Sequence, residues 1–230
     1  MLADMFAYFA EAENWLGDQG ILIRVGQHLW YSFIAVVLGA VIAVPAGIYV
    51  GHTGRGQTLI VTAANSLRAI PSLGLMTLLV LFMGLGLLPP VLALVTLAVP
   101  PLLAGVYSGM RSVDRAVVDA AWAMGMARRQ VIGVELRNAL PGMVAGLRGA
   151  ALQVIATAMI AAYVNLGGIG RYIFDGLALY DYGRVLVGAV LVTVLALTVD
   201  GLLAVVGRLV QPGAKAPSRR AAKTLRAGTV

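Results

Sequence analysis

Residues able to perform acid–base, nucleophilic or metal chemistry are scarce in this chain of 230 residues. It contains two histidines, His28 and His52, and no cysteine. Metal centres and activated nucleophiles need several such groups close together. We expect His28 at the start of an apolar segment and His52 in a polar turn, both with interfacial roles. The sequence therefore predicts no metal centre, no catalytic residues and no intrinsic enzyme activity.

Nucleotide chemistry is also not expected of this chain. A phosphate-binding loop of the form G-x-x-x-x-G-K-[ST] requires a lysine beside its second glycine. The first lysine is Lys215, near the C-terminus. The glycine-rich run at 167–170 lacks the preceding strand of a dinucleotide site, so it is interpreted as a turn. Any step driven by ATP would need a separate chain.

Arg68 is the charged residue whose position most directly indicates function. It lies in an apolar segment, where a charge costs about 2.5–3.5 kcal/mol on insertion scales and usually serves a function. Asn65 precedes it, and Pro71 follows it. A proline bends a helix and frees a backbone carbonyl. The pattern predicts a broken helix that lines a cavity; the alternative is an arginine that snorkels from a shallow span.

Tyrosines and a phenylalanine flank the glycine-rich turn. Aromatic rings can hold a quaternary ammonium group through cation–π contacts. They are also enriched at every membrane interface, and this second interpretation is favoured here. The residues concerned are Tyr163, Tyr172, Phe174, Tyr180 and Tyr182.

The elements that position these residues are predicted to be membrane helices. The chain is 60% hydrophobic and 12% charged, and its mean hydropathy is +0.90. Soluble domains are nearer a quarter charged. The predicted fold is all-α and polytopic, with the second span broken near Pro71 and the third kinked at Pro100. A span needs about 20 apolar residues, and the candidates are His28–Val50, 57 to about 85, Leu88–Tyr107, Pro141–Val164 and Val185–Val206.

The distribution of charge predicts the orientation of these spans. Lys and Arg are in excess in the 51–56 turn, in the 111–137 segment and after Val206, whereas the first twenty residues are mainly acidic. Basic segments stay in the cytoplasm. We therefore expect a multi-pass protein of the plasma (inner) membrane, with the N-terminus outside and the C-terminus cytoplasmic. The net charge of +7 is thus interpreted as an orientation signal, and no nucleic-acid partner is expected.

Three regions are predicted. Residues 1–26 form an extracytoplasmic segment, as a surface helix or a short extra element. Residues 27–208 form the membrane domain, which includes a cytoplasmic loop at 112–137. Residues 209–230 form a basic, disordered cytoplasmic tail, for which contact with membrane lipid is an alternative to simple solvation.

The cytoplasmic loop begins with the spacing of an amphipathic helix. Ser112 is expected to cap it, and Gly125 is expected to end it. The helix either lies against the membrane or its own bundle, or docks into a groove of a soluble partner; periodicity alone leaves both open. Apolar residues recur at i, i+3, i+4, i+7, i+8 and i+11, namely Val113, Ala116, Val117, Ala120, Ala121 and Met124.

Asp119-Ala120-Ala121, three further residues and Gly125, followed later by Leu140-Pro141, resemble the EAA loop of permease subunits in binding-protein-dependent ABC importers. Asp119 stands where the family usually has Glu, and the spacing after Gly125 is shorter than usual. The resemblance implies a MetI-like permease core whose loop contacts the ATP-hydrolysing subunit. The contacting residues would be Val113, Asp114, Val117, Asp119, Ala120, Ala121, Met124, Gly125, Val131 and Glu135.

Further runs are similar to the betaine/choline/carnitine (osmoprotectant) branch of this family, over residues 25–208. The implied cargo is a quaternary ammonium compound moved by alternating access. The runs are 69–73, 113–114, 145–148 and 161–170. The translocation pathway would include Asn65, Arg68, Pro71, Ser72, Tyr163 and Asn165.

The resemblance also implies partners. These are a pair of ATP-binding subunits that hold ATP and Mg, a second permease that is identical or homologous, and an extracytoplasmic substrate-binding protein. Two alternatives stay open. One is an importer of the same class for an amino acid, a metal or an organic anion. The other is an ion-coupled secondary transporter or channel, against which the lack of a mid-span acid and of an evident repeat weighs.

Overall fold

The computed structural model describes residues 1–210, without the side chain of Leu59. Helices are the only regular elements among these residues. The all-α prediction is confirmed. Residues 211–230 of the predicted basic tail (209–230) lie outside the described part of the chain. The α-helices are α1 (Leu2–Ala10), α2 (Ile21–Thr53), α3 (Gln57–Arg68), α4 (Ser72–Met83), α5 (Leu88–Arg111), α6 (Arg115–Ala123), α7 (Arg128–Ala158), α8 (Gly170–Ala178) and α9 (Tyr182–Val210).

Long apolar helices account for most of the predicted spans. By length and composition α2, α5, α9, and α7 with its 3-10 extension to Val164 can each cross a membrane. The pair α3–α4 is bent by 89° and brings the number of candidate spans to five if it crosses as one unit. The protein is therefore a multi-pass membrane protein.

Several span boundaries differ from those predicted. Helix α2 begins at Ile21, before His28, and α7 begins at Arg128, before Pro141. Helix α5 continues through Pro100 and Pro101, and the kink predicted there stays a prediction. Neighbouring membrane helices and side chains can satisfy the groups that a proline frees, so the helix can continue through it. The predicted 112–137 loop thus consists of α6 and the first turns of α7.

Glycines bring the central helix α5 against both of its neighbours. A Cβ atom added to Gly142 of α7 would lie 2.6 Å from the Cα of Gly109 on α5, and one on Gly146 would lie 2.7 Å from the Cα of Gly105. On the other side of α5, a Cβ on Gly47 of α2 would lie 2.8 Å from Val106 Cβ. Small residues of this kind let membrane helices pack backbone to backbone. The core of the bundle is therefore α2–α5–α7.

The N-terminal segment folds onto the bundle as a helix. Met5 of α1 is buried in a cluster with Ile21, Ile169, Tyr172 and Val187. The Tyr172 hydroxyl donates a hydrogen bond to the Gln19 carbonyl at 3.2 Å. Burial raises the pKa of the Tyr172 hydroxyl above its ordinary value.

His28 lies inside the bundle. Its side chain is 1% exposed, and Nε2 donates a hydrogen bond to the Ile155 carbonyl at 2.9 Å. Ile155 belongs to the last turn of α7. A polar ring can be buried there because it has a hydrogen-bond partner.

Candidate coupling helix and membrane cavity

Helix α6 begins with an aspartate cap. Asp114 has an extended backbone, and its Oδ1 accepts a hydrogen bond from the Ala116 amide at 2.9 Å. Ser112 was predicted to cap this helix, and that prediction is wrong. Ser112 is still helical at the end of α5, and its hydroxyl donates to the Gly109 carbonyl at 2.8 Å. An N-cap residue must leave the helical conformation, which Asp114 does and Ser112 does not.

Gly125 ends α6 as the sequence predicted. Its φ of +75° is left-handed. The Gly125 amide donates to the Trp122 carbonyl at 2.9 Å, and the Met126 amide donates to the Ala121 carbonyl at 3.2 Å. This pair of bonds is the Schellman motif, which favours glycine because other residues are strained at that φ. The glycine therefore sets the direction in which the chain leaves α6 towards α7.

The apolar stripe of α6 is mostly uncovered by the bundle. Ala121 is buried, but Val117 is 40% and Met124 is 69% exposed. Trp122, which lies off the predicted stripe, is 48% exposed. Asp119 is exposed as well. Packing against its own bundle therefore does not account for this apolar face, whereas docking onto a partner or lying against the membrane surface would cover it.

Two residues of α7 that were predicted to contact the ATP-hydrolysing subunit are buried within the bundle. Val131 is fully buried, and Glu135 is 8% exposed. His52 Nδ1 donates a hydrogen bond to Glu135 Oε2 at 2.6 Å. Sequence reasoning placed His52 in a polar turn and missed this pairing, because the two residues meet only when α2 and α7 pack side by side. A cavity beside the pair is also lined by Arg115 and Asp119.

A second cavity, of about 260 Å³, lies between α3 and α5. It brings together two predicted pathway residues, Asn65 and Arg68, with Tyr107 and Ser108 of α5. The broken helix predicted here is confirmed: α3 ends at Arg68, and α4 starts after Pro71 at 89° to it.

The other predicted pathway residues lie elsewhere. Pro71 and Ser72 form the start of α4 and do not line the α3–α5 cavity. Tyr163 and Asn165 lie at the end of the 3-10 segment that follows α7. This segment is near the start of α2, whereas α6 is near the end of α2. Tyr163 is 59% exposed, and its ring lies 5.7 Å from that of Phe174.

An ion pair connects α7 with α9. Arg148 donates from Nε and Nη2 to the two carboxylate oxygens of Asp200, both at 2.8 Å. The two-pronged geometry fixes the relative register of the two helices.

A helical membrane bundle with a broken span, a cavity beside it that contains an arginine, and an apolar helix left uncovered at one end is typical of a polytopic permease subunit. No cluster that could hold a metal ion occurs among the described residues. The chain belongs to the family of binding-protein-dependent transport system inner membrane components, whose pattern matches residues 36–212.

Two characterised relatives cover most of the chain. The carnitine transport permease protein OpuCB of Listeria monocytogenes is 37% identical over 181 residues, which is 78% of this chain and 83% of that protein. The glycine betaine/carnitine/choline transport system permease protein OpuCB of Bacillus subtilis is 35% identical over 193 residues, 84% of this chain and 89% of that protein.

A solved structure shows the same fold. In the inward-facing MetNI methionine ABC transporter, one chain matches with a TM-score of 0.74 at 21% identity, over 83% of this chain and 96% of that one. At that identity the likeness concerns the fold alone. The predicted MetI-like core is confirmed.

Proposed function

We propose that this chain is the membrane permease subunit of an ATP-driven importer for a quaternary ammonium osmoprotectant: glycine betaine, carnitine or choline. The observation that carries the cargo is the 35–37% identity, over most of their length, to permeases named for these compounds. The chain passes its cargo across the plasma membrane by alternating access and hydrolyses nothing itself.

The conformational change driven by ATP hydrolysis reaches this chain through α6. A pair of ATP-binding subunits holds ATP and Mg, and a groove on each receives the exposed apolar face that includes Val117, Trp122 and Met124. The docking of an amphipathic helix into a groove buries such a face. Because α6 is joined by short connections to α5 and α7, a movement of the ATP-binding subunit passes directly to two spans.

Two further partners complete the importer: a second permease and an extracytoplasmic substrate-binding protein. Bacillus subtilis relatives bear both the OpuCB and the OpuCD name, and this chain is 35% and 30% identical to them. The pairing of such names supports a second permease that is homologous to this one. The binding protein supplies cargo at the face where α1 and α8 lie.

Uptake in cells tests this function. A strain deleted for this gene and for redundant systems is grown at high osmolarity, and uptake of radiolabelled glycine betaine, carnitine and choline is measured. Loss of at least one, restored by the wild-type gene, supports the proposal. Normal uptake of all three rejects the osmoprotectant cargo. A loss of amino-acid uptake instead would favour the alternative importer class.

Purified components test the energy source. The isolated chain should neither bind nor hydrolyse ATP, and the assembled complex should do both. Uptake that is driven by an ion gradient without ATP would identify a secondary transporter and contradict the proposal.

A further inference from the structure

The α3–α5 cavity differs in chemistry from two of the other cavities of the described residues, whereas a cavity beside α2 and the start of α7 also holds an arginine and a tyrosine, Arg128 and Tyr49. The cavity between α2, α7 and α9, of about 370 Å³, is lined by apolar side chains and Ser32. The cavity near α6 contains two acidic residues, Glu135 and Asp119. In the α3–α5 cavity the charged group is Arg68, and within residues 1–210 no acid forms a salt bridge with it.

The polar residues of this cavity come from two helices. Arg68 and Asn65 lie one turn apart at the C-terminal end of α3, and Tyr107 and Ser108 lie on α5. A guanidinium group binds a carboxylate through two parallel hydrogen bonds. An aromatic ring attracts a methylated ammonium group, which cannot donate hydrogen bonds. The cavity thus offers both groups that a zwitterion such as glycine betaine requires.

We propose that the α3–α5 cavity is a transit site for the zwitterionic cargo, in which Arg68 binds the carboxylate and Tyr107 contacts the trimethylammonium group. This inference rests on the proposed function and adds a selectivity to it. Choline carries a hydroxyl in place of the carboxylate, so Arg68 repels its cation without a compensating bond. Glycine betaine and carnitine therefore pass this site in preference to choline.

The exposure of Arg68 suits transit rather than storage. The side chain is exposed and forms no salt bridge within residues 1–210, so a carboxylate can reach and leave it without breaking an internal ion pair. A pathway site must bind well enough to admit the solute and weakly enough to release it. Tight capture is left to the substrate-binding protein.

Arg68 also has a structural role that the test must separate. It occupies the last turn of α3, where a cation interacts favourably with the helix C-terminus. Arg68→Lys keeps that interaction, and Arg68→Gln loses it. A purely structural loss would affect all cargos alike, whereas loss of a carboxylate site affects only the zwitterions.

Uptake by the complete importer reconstituted in proteoliposomes measures this selectivity. Arg68→Gln should reduce glycine betaine and carnitine uptake about tenfold more than choline uptake, since hydrogen bonds to charged groups are the strong ones. Arg68→Lys should retain part of the betaine uptake. The control Arg55→Gln, in the turn before α3, should leave all three unchanged. Equal losses for zwitterions and choline overturn the transit site, whereas a wild-type complex that moves none of them refutes the proposed function instead.

Thiol labelling of the purified complex decides the site without requiring transport. The chain has no cysteine, so Ser108→Cys places its single thiol in the cavity, and labelling is read on this chain's band. Glycine betaine should slow the reaction with a cationic methanethiosulfonate reagent, and choline should slow it much less. Adding Arg68→Gln should abolish the protection by betaine. In the control Ser112→Cys, outside the cavity, neither solute should protect. Equal protection by both solutes, or protection that survives Arg68→Gln, overturns the proposal.

Discussion

His52 and Glu135 form a hydrogen bond of 2.6 Å that joins the last turn of α2 to α7. Both side chains are largely buried. The bond therefore fixes the end of α2 against α7. A buried polar group left without its partner costs about 1–3 kcal/mol.

We predict that His52→Leu and Glu135→Leu each destabilise the bundle by about 1–3 kcal/mol, because each leaves the other residue unpaired. The double variant should lose less than the sum of the two, since it removes both polar groups. Thermal unfolding of the purified chain in detergent measures this. Strictly additive losses would show that the two residues do not interact.

Gly125→Val should uncouple transport from ATP hydrolysis while the protein stays in the membrane. The left-handed φ of +75° costs a residue with a side chain about 1–2 kcal/mol, so the turn after α6 changes direction. The measurements are ATP hydrolysis and uptake by the assembled complex. Gly133→Val on α7 is the matched control, because a side chain there meets open space without a left-handed φ. Normal uptake by Gly125→Val would contradict the prediction.

Met124→Asp and Val117→Asp should weaken assembly with the ATP-binding subunit, because both place a charge in the exposed apolar face of α6. A few central residues usually carry most of an interface's energy, so we expect about a thirtyfold loss or more at an anchor. Asp119→Lys should weaken assembly less than these changes or Gly125→Val, as a peripheral charge contributes little. Co-purification quantifies the effect. A dominant effect of Asp119→Lys would place the charge, rather than the apolar face, at the centre of the interface.

Gly146→Ala should destabilise the bundle by about 1–3 kcal/mol, as overpacking of a close contact does. The added Cβ would lie 2.7 Å from the Gly105 backbone. One turn away, Gly149→Ala should be tolerated, because its Cβ would meet Pro101 at an ordinary 3.7 Å. Melting temperatures of the two variants test the contrast. Equal behaviour would show that α5 and α7 can separate at no cost.

Reporter fusions test the orientation and the crossing of the bent pair. A reporter active only outside should work near Gly167 and near Gly86, and fail after Val210. The Gly86 fusion tests whether α3–α4 crosses the membrane despite its 89° bend. If the reporter is inactive near Gly86 and active after Val210, the α3–α4 pair is re-entrant. That result would overturn the predicted topology with the N-terminus outside and the C-terminus inside.

The long apolar segments and the cytoplasmic charge pattern made the helical class and the spans predictable, and Pro71 made the break after α3 predictable. The residues at which the helices begin and end were harder to predict. Helix α7 continues from Arg128 past Pro141, because amphipathic turns outside the membrane carry no hydropathy signal and prolines within a bundle do not end a helix.

Contacts between distant residues account for what sequence reasoning missed. His28 is buried with a hydrogen bond to the Ile155 carbonyl, and Glu135 is buried beside His52. Neither partner is identifiable from spacing along the chain. Tyr107 was missed because nothing in the sequence of α5 shows that this turn faces Arg68. Gly125, in contrast, was predictable, since a glycine after an amphipathic run often ends a helix.

The glycine contacts along α5 give the bundle a mechanical property. Where backbones touch with no side chain between them, the helices cannot slide past each other without opening voids, and a close-packed interior transmits strain. Helix α5, with 24 residues, is about 36 Å long at the usual rise. With α2 and α7 it forms one close-packed unit, to which α6 is joined by short connections. We therefore expect a displacement of α6 to tilt this unit as one body, with the bent pair α3–α4 taking up the resulting motion.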